Sequence, residues 1–175
     1  MRWFASVLWV LSGAALGLPS IAWAQAAEVA VKAGFVYNFT KFVEWPAPSI
    51  LPMQFCLVGS DDPLLAALVT LEGKQSHGRE IRVRSAPGKA DALRNCDVIV
   101  IGASETGNVK GVVKEVQGLP ALTVSDIDRF VEVGGMIGLV VSDSKVQFEI
   151  NAVAAKQANL QMGAQLMRLA RSVKK

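Results

Sequence analysis

Asp97-Val98-Ile99-Val100-Ile101-Gly102 is the stretch whose reading decides the fold. It is a nearly pure run of branched apolar residues, too short for a helix and closed by glycine. Such a run marks a strand buried on both faces, the usual state in a parallel sheet covered by helices on either side. Working outward, Met53 to Val58 is a second short apolar strand, ended by Gly59. Asp61 or Asp62 can cap a helix through Leu64, Leu65, Leu68 and Leu71, with Pro63 in its first turn and Gly73 closing it. Glu80 to Arg84 alternates charged and branched residues as an edge strand does. Pro87 to Arg94 suits a short helix, Asn108 to Val116 a longer one, and Ala121 to Val124 another buried strand.

The two ends complete the pattern. Glu28 to Glu44 places Val31, Phe35, Phe39 and Phe42 at helical spacing, and Pro46 forces Trp45 out of the helical region. Ser125 with Asp128 has the spacing of a capping box for a short helix through Phe130. Met136 to Val141 reads as a strand, Ser142-Asp143-Ser144 as a turn, and Lys145 to Ile150 as its antiparallel partner. Val146, Phe148 and Ile150 then share one face. Asn151 can cap a terminal helix striped by Ala155, Ala158, Met162, Leu166, Leu169 and Val173. Gly163 within it costs about 1 kcal/mol, which suggests close packing or a kink there. The expected fold class is α/β, a three-layer, mostly parallel sheet with helices on both faces and a C-terminal antiparallel hairpin strand.

Met1 to Ala24 stands apart. Arg2 is its only charge, Trp3 to Leu18 is an apolar run, and Ala22-Trp23-Ala24 is a small-x-small cleavage site. The segment reads as a signal peptide cleaved after Ala24. A retained membrane anchor is the competing reading, but the run falls short of the roughly 20 residues a span needs. No positive flank follows it either. Cleavage would leave residues 25–175 as a single exported domain, with Trp45 its only tryptophan.

Composition narrows the function. A net charge of +3 argues against a broad nucleic-acid surface, and one His excludes any site needing two imidazoles. Gly59-Ser60-Asp61 lacks the remaining glycine of a dinucleotide fingerprint, and Gly73-Lys74-Gln75 is no P-loop. His77 lies in a polar loop with nothing resembling a nucleophile elbow. The loops beyond the strand ends, at Gly59 to Asp62, Gly102 to Glu105, Ser125-Asp126 and Ser142 to Ser144, are rich in Ser and acid. They suit caps and turns. Asp61-Asp62 and Asp126 with Asp128 lack calcium-loop spacing. No catalytic residue, metal ligand or cofactor is assigned.

The chain has two cysteines, Cys56 inside one predicted strand and Cys96 just before another. If these strands are neighbours, as in doubly wound orders beginning 2-1-3, their Cα atoms can reach bridging distance. An oxidising compartment would then join them, for about 4 kcal/mol in the chain-entropy model. The alternative is a pair of buried thiols.

Five stretches together carry a resemblance: Val36-Tyr37-Asn38-Phe39-Thr40-Lys41-Phe42-Val43-Glu44-Trp45-Pro46, Cys56-Leu57-Val58-Gly59, Cys96 to Gly102, Val146-Gln147-Phe148-Glu149-Ile150-Asn151, and Leu166-Met167-Arg168-Leu169-Ala170-Arg171. The chain resembles the YfiR family of bacterial periplasmic proteins over essentially all of residues 25–175. The aromatic helix ending in Trp-Pro and the last strand leading into Asn151 are its most specific parts. The resemblance implies a non-enzymatic repressor that binds the periplasmic sensor domain of an inner-membrane diguanylate cyclase and lowers cyclic-di-GMP and biofilm formation. It implies sequestration by an outer-membrane lipoprotein, and a homodimer. Cys56 and Cys96 match the family's first cysteine pair. A second pair near the hairpin has no counterpart, since Met136 to Ser144 lacks Cys. Redox control through that second bridge is thereby put in doubt. The resemblance places the partner-contacting surface on the last strand, at Gln147, Phe148 and Glu149. The alternative is a small-ligand module using the crevice beyond Gly59, Gly102 and Ser125, and feeding another membrane sensor such as a histidine kinase.

Overall fold

The computed structural model describes residues 20–47, 49–142 and 145–175, without the side chains of residues 20–24. Most of the expected signal segment and the centre of the 142–144 turn lie outside the described residues. The main sheet contains β2 (Met53–Val58), β3 (Gln75–Ser76), β4 (Arg79–Ala86), β5 (Val98–Ile101), β6 (Leu122–Ser125), β7 (Ile137–Ser142), β8 (Lys145–Asn151) and β10 (Ser172–Lys174). Their order is β10-β8-β7-β6-β5-β2-β4-β3. The β4-β2-β5-β6-β7 centre is parallel, β8 runs antiparallel to β7, and β3 antiparallel to β4. In chain order that centre reads 2-1-3-4-5, the doubly wound arrangement.

Two apolar layers sandwich this sheet. On one side α1 (Ser20–Thr40) and α2 (Asp62–Val69) pack over Phe55, Leu57, Val98, Val100, Val124, Leu139 and Phe148. On the other, α3 (Ala90–Leu93) and α4 (Val109–Val116) cover Cys56, Val58, Ile99 and Ile101. Strict alternation along β2 and β5 sends neighbouring residues into opposite layers, which is why β5 is apolar throughout and β2 is apolar apart from the partly buried Gln54 near its start.

Four local expectations are corrected. First, α1 stops at Thr40; Val43–Glu44 forms β1, paired antiparallel with β9 (Gln161–Met162). The face that α1 buries runs through Lys32, Ala33, Val36 and Phe39, while Val31 points outward. Second, Ser125 starts no helix. Its hydroxyl accepts from Ile127 N and donates to Ile101 O, and Arg129 has φ +59°, so the segment turns repeatedly. Third, the terminal helix is broken. α5 (Ala152–Gln157) ends in a Schellman-type turn: Asn159 has φ +58° and Leu160 N donates to Ala155 O. After β9, Gly163 N donates to Phe42 O, and a Cβ at Gly163 would come within 3.0 Å of that oxygen. α6 (Ala164–Leu169) follows, and the chain then returns to the sheet as β10, parallel to β8. Fourth, the expected edge strand is covered at its start: Ser76-His77-Gly78-Arg79 makes a two-residue hairpin in which the short β3 pairs with Arg79 and Glu80, while the rest of β4 keeps the open edge that was expected. His77 and Gly78 both have positive φ, 51° and 71°, as a type I′ turn requires.

Asn151 does cap α5, accepting from Ala154 N, and its amide also donates to Val131 O.

Lys32 is the charged residue on the buried face of α1. Its ammonium meets Asp126, and Glu28 at 2.6 Å. Burial alone would lower its pKa; the two carboxylates outweigh that and hold it above the ordinary lysine value. The stabilisation is therefore full below about pH 10.4, the unfolded value, and fades as pH rises through the folded one. Lys32→Met leaves Asp126 without its counter-ion and is expected to cost about 1–3 kcal/mol at pH 7. Urea titrations at neutral and strongly alkaline pH check this: the gap between wild type and variant narrows as Lys32 deprotonates.

Candidate functional site

β8 carries the three residues expected to meet a partner, and its pleat divides them. Phe148 points into the core, 6% exposed, with its ring edge-on to Phe39 at 5.0 Å and tilted to Phe35 at 6.1 Å. Gln147 and Glu149 point to the other side of the sheet, where Gln147 is exposed and Glu149 half-buried. In register with Glu149 stand Gly138 on β7 and Ser172 on β10, and Lys174 lies opposite Asn151. α3 and α4 cover the β2–β5 half of this face, which leaves Gln147, Ser172 and Lys174 in solvent. The arrangement is a small polar platform on a rigid hairpin, fixed from beneath by three aromatic rings. Arg171 N donates to Phe148 O, tying the approach to β10 onto the same strand.

At the opposite, carboxyl end of the parallel strands lies the crevice in which doubly wound folds bind ligands. Here its polar groups are engaged internally. Ser60 N donates to Ser104 Oγ at 3.0 Å, Asp61 caps α2 through Leu64 N, and Asn108 donates to Glu105. Gly59 and Gly102 are needed for close approach: a Cβ at Gly59 would collide with Ser104 Oγ, and one at Gly102 would stand 3.1 Å from Asp61 Cβ. The Lys32–Asp126 pair lies next to Ser125, across the crevice mouth.

Cys56 and Cys96 form a disulfide with Cα atoms 6.0 Å apart. It joins β2 to the turn before β5 within the layer covered by α3 and α4. Arg84, in register with Cys56, donates to Ala92 O at 2.7 Å and lies 3.2 Å from Cys96 Sγ. Arg79 and Asp97 make a two-pronged ion pair at 2.8 and 2.7 Å. The same guanidinium donates to Leu51 O and Pro52 O, while Asp97 accepts from Gln54 N. This cluster clamps the loop entering β2, and single-residue reading missed it. The one signal was the charge of Asp97 directly before an apolar strand.

His77 is tied into the fold. Nε2 donates to Thr40 O at 2.7 Å, satisfying a carbonyl at the end of α1, and its ring stands edge-on to Trp45 at 5.8 Å. Among the described residues no three His, Cys, Asp or Glu side chains form a group able to hold a metal ion. No described helix is long and apolar enough to cross a membrane.

Comparison with known proteins agrees with this architecture. A conserved domain protein from Vibrio cholerae O1 biovar El Tor has a similar fold, with TM-score 0.57 at 15% identity over 83% of this chain and 60% of that one. The ABC domain in complex with L-Trp from Streptococcus pneumoniae is similar at TM-score 0.57 and 12% identity, with the same coverages. The chain thus spans about 60% of the length of these two structures, and the likeness is one of fold. The YfiR/HmsC-like family model matches residues 29–171, nearly the whole chain from the middle of α1 to the approach to β10. That family is one of periplasmic regulators rather than catalysts, and this chain belongs to it.

Proposed function

We propose that the chain is an exported repressor. It docks on the periplasmic domain of an inner-membrane diguanylate cyclase and holds cyclic-di-GMP output down. The observation that carries this reading is the platform at Gln147 and Glu149, presented by a hairpin that Phe35, Phe39 and Phe148 make rigid, in a chain of a regulatory family. Rigid presentation matters because a docking surface that is already ordered loses less entropy on binding. Glu149 is the central contact, flanked by Gln147, with Phe148 acting from below as the positioning residue. The internal engagement of the crevice groups favours docking over a ligand in that crevice.

Export follows from the Met1–Ala24 segment, with cleavage after Ala24 removing the first five residues of α1. The Cys56–Cys96 bridge suits an oxidising compartment. In the same proposal an outer-membrane lipoprotein competes for the repressor, and the repressor works as a homodimer.

Glu149→Arg reverses the charge at the centre of the platform. Binding to the cyclase domain is expected to weaken by about a hundredfold, as loss of a central interface contact does. The melting temperature should stay within about 2 °C, because the side chain is only half-buried. Biolayer interferometry with the protein isolated from the periplasm measures both variants. Equal affinity of wild type and Glu149→Arg would move the interface elsewhere.

A further inference from the structure

A second cavity lies at the other end of the sheet from the crevice. It has a volume of about 300 Å³ and opens between α4, the turn before β6, the loop before β7 and the start of α5. Val116 and Met136, both buried, and the partly exposed Val133 form its apolar floor. Its rim carries three ammonium groups, Lys110 and Lys114 from α4 and Lys174 from β10.

These lysines conflict with local rules. Lys110 and Lys114 are four residues apart on one helix face, where like charges repel. Lys110 also sits in the first turn of α4, where the helix dipole disfavours a cation and no acidic residue answers it. None of the three has an ion-pair partner among the described residues, whereas the buried cations Lys32 and Arg79 do. No Asp or Glu lines the cavity. A local conflict without internal compensation points to a function that supplies the compensation from outside.

We propose that this cavity binds a small organic anion, its apolar body on Val116, Val133 and Met136 and its charged group among Lys110, Lys114 and Lys174. The size fits, since pockets for small ligands begin at about 300 Å³. The anion relieves the Lys110–Lys114 repulsion and draws Lys174 toward α4, fastening β10 to the sheet's far layer. Lys174 is two residues beyond Ser172, which faces Glu149, so an occupied cavity also stiffens the edge of the docking platform. The site itself stands whether or not that platform is the interface.

Phenyl phosphate, inorganic phosphate and benzyl alcohol separate the contributions. Each is titrated into the isotope-labelled full protein and followed by amide chemical shifts. Saturable shifts with phenyl phosphate, centred on Gly118, Thr123 and Gly134, are expected below about 10 mM. Inorganic phosphate and benzyl alcohol are each expected to bind at least about tenfold more weakly. Lys110→Glu and Lys174→Glu, both at exposed positions, should each weaken phenyl phosphate about tenfold with an unchanged amide spectrum elsewhere. The proposal is overturned by any of three results: no saturable shift, shifts centred away from these residues, or equal binding by wild type and both variants. Equal affinity for inorganic phosphate would also overturn it, since the apolar floor would then contribute nothing.

Discussion

Reduction of the Cys56–Cys96 bridge, or its removal in Cys56→Ala/Cys96→Ala, is expected to lower stability by about 4 kcal/mol. The cysteines are 40 residues apart, and opening a loop of that length returns about this much entropy to the unfolded chain. For a domain of this size the melting temperature should fall by roughly 8–16 °C. The bond crosses from β2 to the turn before β5 at the parallel centre of the sheet. Its loss should therefore lower global stability rather than fray one edge. Both residues are buried, so alanine adds a small packing loss to the entropy term. Thermal melts with and without reductant check the effect. An unchanged midpoint after complete reduction would show that the covering helices alone hold these strands.

Phe148→Ala should cost about 3–5 kcal/mol, the range for deleting a buried aromatic ring. Its ring fills the space between β8 and α1, in contact with Phe35 and Phe39. Truncation opens a cavity beneath the platform and loosens the strand that presents Gln147 and Glu149. Binding should weaken as well, but only in proportion to the disorder of the hairpin. Glu149→Arg should show the opposite pattern, with stability kept and affinity lost. Denaturant titration read beside interferometry separates the two roles. If Phe148→Ala binds poorly yet unfolds like wild type, its ring meets the partner directly.

Much of the architecture was legible because it rests on strong local signals. The Val98–Ile101 run and the Met53–Val58 strand are too short for helices and are closed by Gly102 and Gly59, and the Met136–Ile150 hairpin carries a turn followed by alternation, so length and flanks decide each. The cysteine bridge was expected on condition that Met53–Val58 and Val98–Ile101 are neighbours, and the 2-1-3 order makes them so. The losses have physical causes too. On α1 the expected stripe holds at Phe35, Phe39 and Phe42 and fails at Val31, because the neighbouring Lys32 is the residue turned inward, made acceptable there by Asp126, 94 residues away. The terminal segment read as one helix because its apolar stripe continues across Asn159 and Gly163. There the left-handed backbone at Asn159 and the contact between Gly163 and Phe42 override the stripe. The His77-Gly78 turn was hidden since asparagine or aspartate more often precedes the glycine. Strand alternation put Gln147 and Glu149 on the face opposite Phe148, as found, while their proposed docking role comes from the resemblance. The three lysines of the second cavity come from two distant elements, and only the tertiary fold brings them together.

The account rests on a chain that regulates by docking. Its most direct test is cyclase output in a reconstituted system: the full-length membrane diguanylate cyclase, its periplasmic side accessible, titrated with this protein. Saturable binding with a matching fall in cyclic-di-GMP synthesis is the predicted result, relieved by Glu149→Arg. Synthesis that stays constant while the added protein remains folded and in excess would contradict it.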